Sequence, residues 1–150
     1  ATVIGASQFS VQLSGSTIFV SADAVLPLRN VPVVRAPVEG LAAAVASRDE
    51  PRGPLALAIE WRGTPRHDAL RDLGQAISRA AGEHRALVVA LEPDVAHTLG
   101  RVMIDELGVL GPLVIVDGLE LRDLDYVDVG AVVRPAGVVP VVIKSLVFAR

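Results

Sequence analysis

Carboxylates stand where an α/β chain would present them to a ligand. Glu60 lies beside Trp61, Glu92 lies two positions before Asp94, and Asp117 closes an apolar run. Ligands of open parallel sheets sit past the carboxyl ends of the strands, so these side chains together could hold a cation or an ammonium group. A structural reading competes with this one. In it, Asp94 after Pro93 caps a helix, Glu60 and Glu92 are solvated, and Asp117-Gly118 makes a turn. The aspartates at 117, 123, 125 and 128 have the chemistry of a calcium site but lack its spacing. An EF-hand loop needs Gly at its sixth position and Glu at its twelfth, and no register here offers both. A solvated acidic loop is the reading adopted. His67, His84 and His97 share no ligand spacing for zinc and are read as surface residues. No Ser sits in a Gly-x-Ser-x-Gly elbow, so hydrolase chemistry has no support. Gly5-Ala6-Ser7, after an apolar β run, is the one candidate for close backbone approach to a phosphate. Neither Gly-x-x-x-x-Gly-Lys nor Gly-x-Gly-x-x-Gly accompanies it, and it could equally be a turn.

The elements that must position these residues follow from hydrophobic periodicity. Leu55 to Trp61, Ala86 to Leu91 and Leu113 to Asp117 are short apolar runs that read as strands. Between the first two, Leu70, Leu73, Ala76, Ile77 and Ala80 make one stripe of a helix over 67–81, ending at Gly82. Between the second and third, Asp94 is the expected N-cap of a helix that turns Val95, Leu99, Val102, Met103 and Leu107 inward and stops at Gly108. Residues 55–117 therefore predict a parallel β-α-β-α-β array. Before it, Ala1 to Ala6 and Gly15 to Ser21 read as two short strands separated by a polar connection, a hairpin or a strand-turn-strand unit. Pro27, Pro32 and Pro37 confine the next strand to Val31–Arg35, at an edge. A short helix follows from Pro37 to near Ser47. After Gly118 an antiparallel tail is expected, with β segments near Ala131–Val133 and Val138–Phe148. The expected organisation is one α/β domain with a β-rich lead-in over 1–37, an α/β array over 38–117 and a β tail over 118–150.

Composition narrows the functions. The chain has 150 residues, enough for one domain with its own core. Half of its residues are hydrophobic, yet it holds only one Trp, one Tyr and three Phe, so the core is expected to be aliphatic. A formal net charge of −3, with Arg scattered, argues against nucleic acid as a partner. With no Cys, disulfides and thiolate chemistry are excluded, which fits a cytoplasmic setting. The longest apolar runs are broken, as Val138–Ile143 is by Pro140, and fall short of the roughly 20 residues of a membrane span. Ala1 lies inside an expected strand without an initiator Met, which leads to the expectation of a longer parent protein.

Two stretches resemble a known family. The opening Ala1-Thr2-Val3-Ile4-Gly5-Ala6, followed by Leu13-Ser14-Gly15-Ser16-Thr17-Ile18, is similar to a segment of the ethanolamine ammonia-lyase reactivating factors, the EutA family. So is the closing run from Pro112 to Phe148, with Val116-Asp117-Gly118, Asp125-Tyr126-Val127-Asp128-Val129-Gly130 and Val138-Val139-Pro140-Val141-Val142-Ile143-Lys144. The resemblance implies part of an actin-like ATPase that uses ATP and Mg²⁺ to release damaged adenosylcobalamin from ethanolamine ammonia-lyase. It implies a cytoplasmic protein, with a bacterial microcompartment as a further address. The phosphate loops of that fold are absent, so the chain is expected to be a carboxyl-terminal fragment. Without its amino-terminal part it should be non-catalytic and bind no nucleotide tightly. Gly5, Ala6 and Ser7 fall where a turn of the family approaches adenosine, with Ser7 in place of a Gly. Two alternatives stay open: an independent small-molecule-binding or enzyme domain using Glu60, Glu92, Asp94 and Asp117, or a dimerisation module pairing through the edge of 138–148.

Overall fold

The central array follows its periodicity closely. A computed structural model describes residues 3–22, 24, 26–48, 53–82, 86–122 and 125–148. Strands β1 (Val3–Leu13), β2 (Ile18–Val20) and β3 (Leu28–Pro37) precede a short 3₁₀ turn (Val38–Gly40) and helix α1 (Leu41–Ala46). Then come β4 (Leu55–Glu60), α2 (His67–Ala81), β5 (Leu87–Leu91) and α3 (Ala96–Arg101), which runs on into a π-helical turn at Val102–Glu106. Strands β6 (Leu113–Asp117), β7 (Asp125–Val129) and β8 (Val139–Phe148) complete the chain. β4, β5 and β6 are parallel neighbours, and every residue in them except Glu60 is buried. Burial on both faces explains why they read as continuous apolar runs rather than alternating ones. α2 spans the expected residues and turns Leu70, Leu73 and Ile77 inward. It ends where Gly82 takes a φ of 73°. Among the described residues no helix is long and apolar enough to cross a membrane.

The flanks depart from the sequence reading in ways with clear physical causes. The first two β segments do not form a hairpin with each other. β1 is one eleven-residue strand that pairs antiparallel with β8, while β2 pairs with β6. The polar stretch read as a connection is strand: exposed Gln8, Ser10 and Gln12 alternate with Phe9, half-buried Val11 and buried Leu13. That is the period-2 pattern of a strand with one wet face. β3 is not an edge strand, because it lies between β7 and β4. Its prolines are nevertheless accommodated as at an edge. Leu28, Val31 and Pro32 pair with β7, and Val33–Pro37 pair with β4, so the ladder changes sides after Pro32. No paired residue there needs partners on both sides, and the missing Pro N–H costs little. In the tail, β7 begins earlier than expected, and Val133 meets only Val138, in an isolated bridge. β8 pairs on both sides, with β1 and β7, so the segment 138–148 offers no free edge.

One eight-stranded mixed sheet results, in the order β1-β8-β7-β3-β4-β5-β6-β2. It doubles over at β3. Ala56, Ala58, Val88, Ala90, Val114 and Val116 from the parallel half share one apolar cluster with Val127, Val129, Val139, Val141 and Ile143 from the antiparallel half. The other face of the parallel half, with Leu57, Val89 and Ile115, packs under Leu70, Leu73, Ile77, Leu99 and Met103 of the helices. The layers are therefore helix, parallel sheet, antiparallel sheet. The helices sit close on their neighbours: a Cβ on Gly74 would lie 2.9 Å from Met103 and Leu107, and one on Gly100 would lie 2.3 Å from the Phe19 ring.

Candidate functional site

The doubled sheet leaves an open cleft at the carboxyl ends of β4 and β5. Its wall includes Arg35, Glu60, Trp61, Arg62, Glu92 and Glu120, and it encloses about 190 Å³. Small-molecule sites typically enclose about 300–1,000 Å³, so this cleft is smaller than a typical complete pocket. Parallel pairing sets Arg35 of β3 against Ala58 of β4, two residues short of Glu60. From there the Arg35 Nε donates to Glu60 Oε1 at 3.1 Å, and its Nη2 lies 3.2 Å from Glu120 Oε1. The guanidinium thus ties the end of β4 to the loop after β6. Both carboxylates are well exposed, so each pair contributes no more than about 1 kcal/mol. Their effect is to fix the shape of the cleft. Trp61, half-buried against the helix-side core, lies close to Gly63, where a Cβ would come within 2.5 Å of the ring.

Of the residues the sequence points to, Glu60, Trp61 and Glu92 meet in this cleft. Asp117 does not reach it. Its side chain is 4% exposed, its Oδ2 accepts the Ala96 N–H at 2.9 Å, and its own N–H donates to the Thr17 carbonyl at 3.0 Å. Asp117 therefore caps α3 from the neighbouring strand, which is the role expected of Asp94. Asp94 is exposed, the N-cap position falls on Val95, and no side chain of the helix's own lead-in makes the cap bond. Burial pushes the Asp117 carboxyl above its ordinary value; the Ala96 hydrogen bond pulls the other way, and the neighbouring Asp94 charge adds to the rise. Gly118, with a φ of 67°, completes the expected turn and donates to the Glu92 carbonyl at 3.3 Å.

Gly5, Ala6 and Ser7 are not in a turn. They lie within β1, opposite Val147, Leu146 and Ser145 of β8, so their backbone engages a sheet ladder rather than opening toward a helix. The acidic run does not converge either. Asp123 lies outside the described residues, and Asp125 and Asp128 point to opposite faces of β7. Asp125 is buried, held by the Ser145 hydroxyl and accepting the Arg122 N–H at 2.9 Å. His84 also lies outside the described residues. His67 pairs with Glu106 at 2.7 Å, and His97 bonds the Gly15 carbonyl. Among the described residues no group of three or more such side chains could hold a metal ion.

Arg35 and Glu120 escaped the sequence reading. The one available signal was a charge inside Val33-Val34-Arg35-Ala36, an otherwise apolar strand. Glu120 also borders a second hollow of about 300 Å³, lined as well by Phe9 and Ile143.

The comparisons with known proteins are consistent along the chain. A family model described as ethanolamine utilisation protein EutA matches residues 1–149. The chain is 36% identical over 160 aligned residues to a Salmonella typhimurium protein named ethanolamine ammonia-lyase reactivase EutA, covering 99% of this chain and 33% of that one. An Escherichia coli K12 protein of the same name is 34% identical with the same coverage. The chain thus spans about a third of the length of these curated relatives. No solved structure matches it. With the family match running from Ala1 to Ala149, the chain belongs to the EutA family of ethanolamine utilisation proteins.

Proposed function

We propose that this chain is a carboxyl-terminal portion of an ATP-dependent reactivating chaperone, which frees ethanolamine ammonia-lyase from damaged adenosylcobalamin in the bacterial cytoplasm. In this reading it supplies one wall of a working cleft and a surface for the lyase. The observation that carries it is the incomplete cleft. Arg35, Arg62, Glu60, Glu92 and Glu120 converge at strand ends in a space smaller than a small-molecule site, open for another part of a longer protein to close. The printed names of the relatives, and the third of their length that this chain spans, point the same way.

The residues present do not make a triphosphate site. Gly5-Ala6-Ser7 is locked in a ladder, and the cleft is lined by more carboxylates than guanidinium groups. No step in ATP chemistry is therefore assigned to them. In this reading the chain is part of an actin-like fold whose grip on ATP and Mg²⁺ falls to the rest of a longer protein. What this chain's own residues do is hold geometry: Arg35 keeps β4 and the 118–122 loop in register, and Trp61 stiffens the rim.

The test uses the full-length protein, with lyase blocked by a damaged cobalamin, ATP and Mg²⁺, and ammonia release as the readout. Recovery is expected with the full-length protein and absent with this chain alone, which should also leave ATP intact. Arg35→Ala with Glu120→Ala should slow recovery about tenfold, equivalent to about 1.4 kcal/mol, without changing the circular dichroism spectrum. ATP cleavage by this chain alone, or undiminished recovery in the double variant, would overturn the reading. The alternative, an independent small-molecule domain, draws on Glu60 and Glu92 meeting in the cleft; it predicts saturable ligand binding by the isolated chain.

A further inference from the structure

A further hollow opens at the other end of the sheet, away from the cleft. It encloses about 390 Å³ between the last turn of α2 and the loop after the π-helical turn, at the amino ends of β5 and β6. That volume falls within the roughly 300–1,000 Å³ of small-molecule sites. Its floor is apolar core: Leu87 begins β5, Leu113 begins β6, Met103 lies in the π-helical turn, and all three are buried. Turns of this kind often stand at functional positions, and here the Leu107 N–H donates to the Val102 carbonyl at 3.0 Å. One wall is a short strap. Gly108 and Gly111 take left-handed φ values of 62° and 98° on either side of Val109-Leu110, and the Val109 N–H donates to the Met103 carbonyl at 3.0 Å. Leu110 lines the hollow yet is 71% exposed, so a large apolar side chain borders an apolar space without filling it. From α2 come Ser78 and the exposed Arg79, the only charged residue among those described that line the hollow.

We propose that this hollow binds a small apolar molecule ending in a carboxylate. Its hydrocarbon body lies on Met103, Leu87 and Leu113, its carboxylate meets the Arg79 guanidinium, and Leu110 folds down over it between the two glycines. Each part has a physical reason. Filling the hollow takes the ligand's apolar surface and that of Leu110 out of water together. The planar guanidinium presents its donors in a fork that matches both oxygens of a carboxylate. With a cation as the one charged side chain on the wall, an ammonium group of the same size would be repelled. The walls all come from this chain, so the site needs no residue from the cleft or from elsewhere in a longer protein.

Met103 is the only methionine in the chain, so methyl-labelled methionine gives one carbon-13 resonance, on the floor of the hollow. Titration with octanoate should shift that resonance saturably while leaving the Trp61 emission unchanged. Octan-1-ol and octylammonium should bind at least about tenfold more weakly, the usual advantage of a charge-assisted pair. Arg79→Gln should erase that difference, weakening octanoate about tenfold and sparing octan-1-ol. Leu110→Asp, at an exposed position, should weaken octanoate and octan-1-ol alike without lowering the melting temperature. Calorimetry on the longer parent protein should find the same octanoate binding and the same dependence on Arg79. No saturable shift, equal binding of octanoate and octylammonium, or indifference to Arg79→Gln overturns the proposal. So does binding that is lost in the longer protein, since another segment would then be the hollow's occupant.

Discussion

The Ala96 N–H is satisfied from outside its own helix, by a carboxylate on β6, and this makes Asp117 the most informative single position. Asp117→Ala should destabilise the chain by about 1 kcal/mol, the usual loss when a helix cap is removed. Asp117→Asn, which keeps an acceptor oxygen, should cost less, as urea denaturation will show. The sign of the pH dependence follows from the raised proton affinity of the folded-state carboxyl. As pH climbs past the ordinary carboxylate value, the unfolded chain ionises first, so stability falls until the folded-state value is passed. Asp117→Asn should flatten that decline in a pH series of urea melts. Gly100 tests packing instead of charge. A methyl group there would overlap the Phe19 ring, so Gly100→Ala should cost about 1–3 kcal/mol by thermal denaturation. Phe19→Leu should relieve part of it in the double variant.

Among the elements, β3 carries the most unusual local structure. Between Leu28 and Val31 its register with β7 shifts, and Asn30 adopts a left-handed φ of 53°. Asn is among the few non-glycine residues that tolerate this conformation. The irregularity is pinned from β7 and β8. Asp128 Oδ1 accepts the Asn30 N–H at 2.6 Å, while the Lys144 ammonium lies 2.7 Å from Asp128 Oδ2 and donates to Asn30 Oδ1 at 3.0 Å. Partial burial works to raise the Asp128 carboxyl, but the Asn30 hydrogen bond and Lys144 together hold it below the ordinary value. Its contribution is therefore present above the ordinary carboxylate pH and lost as pH falls through the lowered one, the reverse of Asp117. Asp128→Ala should cost about 1.5–3 kcal/mol at neutral pH, shrinking toward zero in strong acid, again by urea melts. None of this was legible in the sequence, because it joins residues about a hundred positions apart. α2 was legible to the residue, since its stripe and its terminal glycine are both local signals. β1 was misread because its polar alternation resembles a loop when its partner, β8, lies at the far end of the chain.

At the scale of the whole molecule, the doubling of the sheet decides both the core and the cleft. The parallel half presents Ala56, Ala58 and Ala90 to the antiparallel layer, and these short side chains set how closely the layers approach. Ala56→Leu should therefore overpack the junction by about 1–3 kcal/mol, seen as a lower denaturation midpoint with an unchanged slope. The same doubling explains how far the site could be read. Glu60, Trp61 and Glu92 are marked by the rule that ligands gather past parallel strands, and that rule needs only the central array. Arg35 and Glu120 become visible once β3 is known to lie beside β4 and the 118–122 loop to close over it, a long-range fact with no local signature. The rim of the cleft has one further consequence. Trp61 is the only indole in the chain, and its ring lies close to Gly63 at the cleft mouth. The protein thus carries its own optical gauge of that opening: whatever enters and displaces water there must change the colour and yield of its ultraviolet emission, with no label attached.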